Sequence, residues 1–580
     1  MQKPNVIFVL TDDQGFADLG CSGNPWIQTP NIDQFHKDSI RFTDFHVSPL
    51  CTPTRGALMS GHRPVRNGAW ATCWGRSILK KDETTMADVF KANGCRTGMF
   101  GKWHLGDNYP YRPMDRGFDT VVAHKGGGVG QTPDFWGNNY FDDTYFENGK
   151  PKDYAGYCTD VWFEQAGRFI RDCSAKDEPF FAYIATNAPH SPYLVDEEYA
   201  APYRDNQQIP IPEFYGMITN IDENFGRLRE LLAELDIEDN TILMFMTDNG
   251  SSGGCELDRQ GFVTRGYNAG MRGMKASRYD GGHRVPWLMR WPDAGFAGGR
   301  DIDEMSLHVD FLPTLIDLCE LKAPENVTFD GTSLAPILRG DAERLDGDRI
   351  HHVDLRQGTE LPGIWDGCVM TREWRLVKGK ELYNIKRDPG QRHDVSKDHP
   401  EIVTRLRNAQ EKWWKEITPR MEEYAHISLG ADAENPTRLD SMDVLGDVAW
   451  NQTHIAAAQK STGVWSVDVE QAGRYRFALR RWPEELNLPI DAGISREEAG
   501  RLAPYTKEFT PKAIRPTKAT LKIFGAELEI DIAPNMLEAV AELDIAETGE
   551  TQMEAWFHND SGEKQGAYYV YAERLHPACQ

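Results

Sequence analysis

Two short apolar runs, each ending in a pair of hard oxygen ligands, constrain this chain more than any other feature. They are Asn5-Val6-Ile7-Phe8-Val9-Leu10 and Thr241-Ile242-Leu243-Met244-Phe245-Met246. Runs of this length without polar alternation read as strands buried on both faces of a mostly parallel sheet. The first leads into Thr11-Asp12-Asp13 and the second into Thr247-Asp248-Asn249-Gly250. Adjacent carboxylates at the end of a buried strand are costly unless a cation neutralises them. Asp and Asn oxygens suit calcium or magnesium, not zinc or copper. Each pair alone reads equally well as a solvated turn. In open α/β sheets, however, ligands gather beyond the carboxyl ends of the strands, which would let the two ends meet.

Two further strands deliver basic groups to the same kind of position. Arg96-Thr97-Gly98-Met99-Phe100-Gly101 leads into Lys102-Trp103-His104, and Pro179-Phe180-Phe181-Ala182-Tyr183-Ile184-Ala185 leads into Thr186-Asn187-Ala188-Pro189-His190. A lone Lys or His after a strand is usually surface; four strand ends of complementary chemistry are harder to set aside. The spacing of apolar residues predicts helices over 84–93, 159–173 and 214–235 between these strands. Alternating strands and helices imply a large mixed, mostly parallel sheet flanked by helices.

Cys51-Thr52-Pro53-Thr54-Arg55-Gly56 places a cysteine at the mouth of a further helix, with Pro53 in its first turn. The positive end of that helix and the planar fork of Arg55 favour an oxyanion beside Cys51. The plainer reading is a buried cysteine at an ordinary helix start. Lys125-Gly126-Gly127-Gly128-Val129-Gly130 lacks the Gly-Lys-Ser/Thr ending of a phosphate-binding loop and reads as a flexible loop. The segment from Gly270 to Pro286 carries Arg272, Lys275, Arg278 and Arg284 beside paired glycines, and reads as an anion cradle or a solvated loop.

Beyond the strand over 287–291 and a helix over 307–319, residues 369–385 read as a small antiparallel hairpin, followed by a helix over 401–424. From about 426 the texture becomes one of short strands and turns, over 463–469, 475–482, 520–532, 554–558 and 567–573. That pattern predicts an appended C-terminal β-sandwich. The expected domains are 1–345, 346–425 and 426–580.

The net charge of −25 argues against nucleic acid as a partner, so an anionic substrate would need a local cluster of basic groups to overcome the global field. Ten scattered cysteines form no disulfide framework or zinc pattern. No window reaches the apolar length of a membrane span, and the start shows no signal peptide. The expectation is a soluble protein, cytoplasmic if Met1 is the native start, periplasmic or secreted if a leader was trimmed.

Cys51-Thr52-Pro53-Thr54-Arg55 resembles the signature of the type I, formylglycine-dependent sulfatases of the alkaline phosphatase superfamily. Asp12-Asp13, Gly101-Lys102-Trp103-His104-Leu105-Gly106, Ala188-Pro189-His190, Thr247-Asp248-Asn249-Gly250 and Lys275…Tyr279-Asp280-Gly281-Gly282-His283-Arg284 follow in the family's order, over roughly residues 4–425. The tail, with Leu479-Arg480-Arg481-Trp482-Pro483, resembles the extra β-domain of bacterial polysaccharide-degrading sulfatases.

The resemblance implies that Cys51 is a precursor, oxidised by a formylglycine-generating maturation enzyme and then hydrated to a diol whose hydroxyl attacks sulfur. It implies calcium, with magnesium an option, held by Asp12, Asp13, Asp248, Asn249 and the modified Cys51. Arg55 would steady the carboxylates and the formylglycine, and Lys102 would contact sulfate. His104 would orient or deprotonate the diol, His190 would protonate the leaving alcohol, and Lys275 would bind sulfate near the bridging oxygen. Trp74, Arg76, His124, Arg272, His283 and Arg284 lie near these motifs as candidates for touching a sugar or a second sulfate. The expected activity is removal of sulfate from a sulfated carbohydrate. An arylsulfatase or phosphonate monoester hydrolase is the alternative, and a silent sugar-binding protein a more distant one.

Overall fold

The computed structural model describes residues 3–575 apart from 324, 326, 359–362 and 503–508, so Cys579 lies outside it. Twelve strands precede residue 303: β1 (Asn5–Thr11), β2 (Ile40–His46), β3 (Arg96–Lys102), β4 (Thr120–His124), β5 (Thr144–Glu147), β6 (Lys150–Asp153), β7 (Phe180–Ala185), β8 (Thr241–Thr247), β9 (Cys255–Leu257), β10 (Val263–Gly266), β11 (Arg284–Arg290) and β12 (Arg300–Ile302). All but the β9–β10 pair join one sheet in the order β12-β2-β11-β8-β1-β7-β3-β4-β5-β6, with Ser306–Leu307 added beside β2. Its centre, β8-β1-β7-β3-β4, is parallel, while β11 runs antiparallel to both β8 and β2.

Every residue of β1 and of β8 is buried, as their unbroken apolar runs require. Alternate residues feed different cores. Val6, Phe8 and Leu10 pack on one face with the helices Met86–Ala92 and Phe311–Leu318. Ile7 and Val9 pack on the other with α1 (Pro30–Asp38) and the helices Cys158–Ala175 and Pro212–Glu234. The expected α/β architecture is therefore present. Four neighbouring parallel strands end on the same edge, and their carboxyl ends carry Asp248, Asp12, His190 and Lys102.

The predicted hairpin over 369–385 is part of a four-stranded antiparallel sheet, because His351–Asp354 pairs with Gly367–Met370 ahead of it. The helix expected over 401–424 ends at Ile417, and Pro419 in the following 3-10 turn explains why. Beyond it two sheets, of seven and four strands, face each other across a core that includes Trp465, Tyr475, Phe477 and Leu521. The single strand expected over 520–532 is two, Lys518–Ile523 and Ala526–Asp531, joined by a tight turn at Phe524-Gly525 with both residues at positive φ.

Candidate active site

Cys51 opens α2 (Cys51–Ser60), a helix buried along its whole length. Its thiol faces Nδ1 of His104 at 3.5 Å. Burial pushes the thiol's pKa up, even though Lys102 and Lys275 pull it down. A neutral thiol is a poor nucleophile. Nε2 of His104 meets the Thr72 carbonyl at 3.0 Å, which fixes the ring between the two. Burial, then Lys102, holds the imidazole well below its usual pKa, so it is neutral, and with Nε2–H on the Thr72 carbonyl its Nδ1 lone pair faces residue 51.

The carboxylates gather where the β1 and β8 ends lie side by side. Asp12, Asp13 and Asp248 are all buried, and one oxygen from each lies within 4.8 Å of the others. Asp12 Oδ1 and Asn249 Oδ1 are buried and accept no hydrogen bond from the described residues. Burial and the facing Asp12 carboxylate push Asp248 up to about 7, against the pull of Arg55 and Lys102. Crowded carboxylates, two unclaimed oxygens and an all-oxygen donor set fit a hard divalent cation such as calcium or magnesium.

Three fixed cations face these three carboxylates. Arg55, fully buried, donates Nε and Nη2 to Asp248 Oδ2 at 3.1 and 2.8 Å, and its Nη2 lies 3.8 Å from Asp12 Oδ1. Lys102 Nζ donates to Asp12 Oδ2 and Lys275 Nζ to Asp13 Oδ2, both at 2.6 Å. His190 Nε2 stands 3.7 Å from the same Asp13 oxygen, with Nδ1 2.5 Å from the Ser191 carbonyl. Burial would raise Asp13, but Lys275, His190 and Lys102 together hold it well below the usual carboxylate range. Burial first, then Lys275, takes His190 down to about 4. The His190 and Lys275 side chains keep 16% and 21% exposure, whereas Lys102 and Arg55 have none. The open side of the site is thus the His190–Lys275 side.

Asp13, His104 and Ala276, beside Lys275, all adopt positive φ. For non-glycine residues that conformation is sparsely populated and concentrates where function demands an exact side-chain direction. Two contributors escaped the sequence reading. The Thr72 carbonyl carries no side-chain signal. Gly127 lies against the His104 ring, where an added Cβ would sit 2.3 Å from Cε1. The glycine run Gly126–Gly130 marked that loop, but it is packed against the two histidines instead of serving as an open, flexible span.

Of the six sugar-contact candidates, four are engaged elsewhere and a fifth, His124, is buried. Arg76 is buried between Trp70 and Tyr424 and donates to the Glu423 carbonyl. Arg272 lies over Tyr279 and donates to Tyr383 Oη of the small sheet. His283 meets His46 Nδ1 at 3.0 Å in a buried network with Arg375, while Arg284 donates to the Thr43 carbonyl. The anion-cradle reading of 270–286 therefore narrows to Lys275 alone. His124 is buried against Trp162, one strand away from Lys102, and its Nε2 has no partner among the described residues. Trp74 remains half-exposed two residues after Thr72.

A helix-mouth residue ringed by carboxylates, two lysines, an arginine and two histidines, at the carboxyl edge of an α/β sheet, defines a hydrolase of oxyanion esters. Residues 4–321 match the Sulfatase family, and residues 274–416 match the family described as N-sulphoglucosamine sulphohydrolase, C-terminal. The chain is 27% identical over 467 residues to human N-acetylgalactosamine-6-sulfatase, spanning 72% of this chain and 87% of that protein. It is likewise 27% identical over 450 residues to an ulvan-active sulfatase of Formosa agariphila, spanning 73% and 82%. Among solved structures, that of Ps i-CgsB in complex with k-i-k-neocarrahexaose aligns with a TM-score of 0.63 at 28% identity, over 73% of this chain and 95% of that one. The chain belongs to the sulfatase family and is a sulfuric ester hydrolase. None of its described helices is long and apolar enough to cross a membrane.

Proposed function

We propose that this protein removes sulfate from a sulfated carbohydrate, a polysaccharide-derived oligosaccharide, using Cys51 after a maturation enzyme has converted it to formylglycine. The observation that carries this reading is the convergence of Arg55, Lys102, His104, His190 and Lys275 with three carboxylates around Cys51. The domains proposed for it run 1–345, 346–425 and 426–580.

Asp12, Asp13, Asp248 and Asn249 would hold calcium, or magnesium, with the modified residue 51 adjoining. When bound, the dication would supply positive charge to the site, and the hydrated aldehyde of a matured residue 51 would supply the nucleophilic oxygen that a neutral thiol lacks. Lys102 and Lys275, each holding a carboxylate at 2.6 Å, have ammonium protons to turn toward sulfate oxygens as charge builds there. His104, neutral and fixed through Nε2, accepts at Nδ1 the proton that residue 51 gives up. His190, on the open side with Nδ1–H held by the Ser191 carbonyl, would take a proton from solvent at Nε2 and pass it to the departing alcohol oxygen. Arg55 keeps the carboxylates in place throughout.

Relatives described as acting on N-acetylgalactosamine 6-sulfate groups and on ulvan, and a neighbour bound to a neocarrahexaose, support the carbohydrate part. The test is a screen of sulfated galactosamine, ulvan and carrageenan oligosaccharides beside nitrophenyl sulfate and a phenyl phosphonate. Product regiochemistry is read by NMR, on enzyme whose residue 51 is checked by mass spectrometry. Sulfate release from a saccharide is expected; phosphonate turnover far above all sulfates would overturn the reading.

A further inference from the structure

The C-terminal β-domain reaches the active site at two places. The first is Trp74. Its φ is +64°, an unusual conformation for so bulky a residue, and its N–H donates to the Met442 carbonyl of the β-domain at 3.0 Å. Two residues earlier the Thr72 carbonyl holds His104. The second place is Gln131, whose side chain accepts from the Gly127 N–H at 2.8 Å and whose backbone bridges to Asn451. The Thr132 N–H donates to the Trp450 carbonyl at 3.1 Å. The loop that covers His104 is thus fastened to the segment that carries Trp450.

Trp74 and Trp450 come together on one small apolar cluster of Cys73, Met442 and Val448, and both stay half-exposed. His454 meets the Trp450 ring edge-on, with centroids 4.8 Å apart. Half-exposed indoles beside an anion-handling site suit a ligand with both an apolar face and polar rims. A pyranose ring has that character: its axial C–H groups stack on aromatic faces while its hydroxyls stay wet. Both matched families end by residue 416, so Trp450 belongs to a part of the chain outside them.

We infer that Trp74 and Trp450 form a shared aromatic shelf that stacks a sugar ring of the substrate, and that the C-terminal β-domain thereby supplies part of the substrate-binding surface. This rests on the carbohydrate reading above. The Met442 and Thr132 hydrogen bonds tie the backbone that carries the two indoles to the segments that contact and cover His104.

The test uses the full chain with Trp450→Ala, Trp450→Phe and Trp74→Ala, assayed on the saccharide hydrolysed fastest in the screen and on nitrophenyl sulfate. Trp450→Ala is expected to raise KM for the saccharide at least tenfold more than KM for nitrophenyl sulfate, and Trp450→Phe to restore most of the loss. If the saccharide KM of Trp450→Ala stays within twofold of the unmodified enzyme, the shelf is wrong while the carbohydrate reading stands. Equal losses on both substrates with a lowered Tm, uncorrected by Trp450→Phe, would reduce Trp450 to packing and also overturn the shelf. Wild-type turnover of nitrophenyl sulfate with no saccharide hydrolysed would overturn the carbohydrate reading, and the shelf with it.

Discussion

Arg55 and Asp248 form the pivot of the site: two guanidinium N–H groups converge on one carboxylate oxygen at 3.1 and 2.8 Å, and the third arm donates to the Lys102 carbonyl at 3.2 Å. The pair ties α2 to the β8 and β3 ends with no water access. Arg55→Ala would strand Asp248 in a buried setting, and removing one partner of such a pair costs about 3–5 kcal/mol. Denaturant unfolding should show a loss of that size, along with lost activity. Arg55→Lys should recover only part of it, because an ammonium cannot reproduce the fork.

The unclaimed oxygens of Asp12 and Asn249 make a metal prediction that needs no turnover. A cation that binds only the folded state stabilises it by about 2.7 kcal/mol at one hundred times its Kd. Calorimetry should show Tm rising with added calcium and falling after chelation. Asn249→Ala should weaken that dependence. A Tm indifferent to calcium and magnesium would contradict the assignment of these residues.

His190 is proposed to supply a proton to the leaving oxygen, so its value should depend on how badly that oxygen needs one. A sugar alkoxide leaves poorly unprotonated, whereas nitrophenolate leaves readily. His190→Ala should lower kcat on a saccharide sulfate by about 10²–10⁴ and on nitrophenyl sulfate by much less. Equal losses on the two would place the proton donor elsewhere.

Much of this centre was legible in the chain because strand ends announce themselves. Residues 6–10 and 242–246 ahead of Asp12 and Asp248 are apolar without a break, and they lie in strands buried at every position, as a doubly covered sheet requires. Ligands attached directly to such ends are carried to one edge by the parallel pairing. What the sequence could not show were contacts that depend on backbone direction. Arg272, Arg278, Arg284 and Lys275 look alike in a polar loop. Yet Arg272 turns to Tyr383 and Arg278 to the Asp366 carbonyl, leaving Lys275 to reach Asp13. Trp450 was equally invisible, being 376 positions from the Trp74 with which it shares a cluster.

Away from the site, buried histidines predict an acid limit to stability. Burial takes His283, His308 and His352 down to about 3, so the folded protein resists protonating them. The unfolded chain protonates the same side chains near 6.5. Between about pH 6.5 and 3 the unfolded state therefore binds more protons, and stability falls as pH falls through that window. His352 stacks on Trp413 at 4.5 Å with an interplanar angle of 4°. His352→Phe keeps a ring there without a titrating group. Its unfolding free energy should lose up to about 1.4 kcal/mol less per pH unit across the window, measured by denaturant titration from pH 4 to 6.

Gly127 offers the sharpest separation of function from stability. An alanine Cβ there would stand 2.3 Å from His104 Cε1 and 2.6 Å from Nε2, distances no real contact tolerates. The backbone of Gly127 is held by the Gln131 side chain at 2.8 Å, and Gln131 is in turn bridged to Asn451. The loop is therefore the less yielding partner, and the imidazole must move. Moving it breaks the Thr72 and Cys51 contacts that set its direction, 3.0 and 3.5 Å long. A displacement of about 1 Å at a catalytic group is enough to cost 10²-fold in rate. Gly127→Ala should thus lower kcat by about two orders of magnitude on saccharide and nitrophenyl sulfates alike, with Tm little changed. The uniformity matters, because a loss confined to saccharides would mean that the loop acts on the sugar and not on His104.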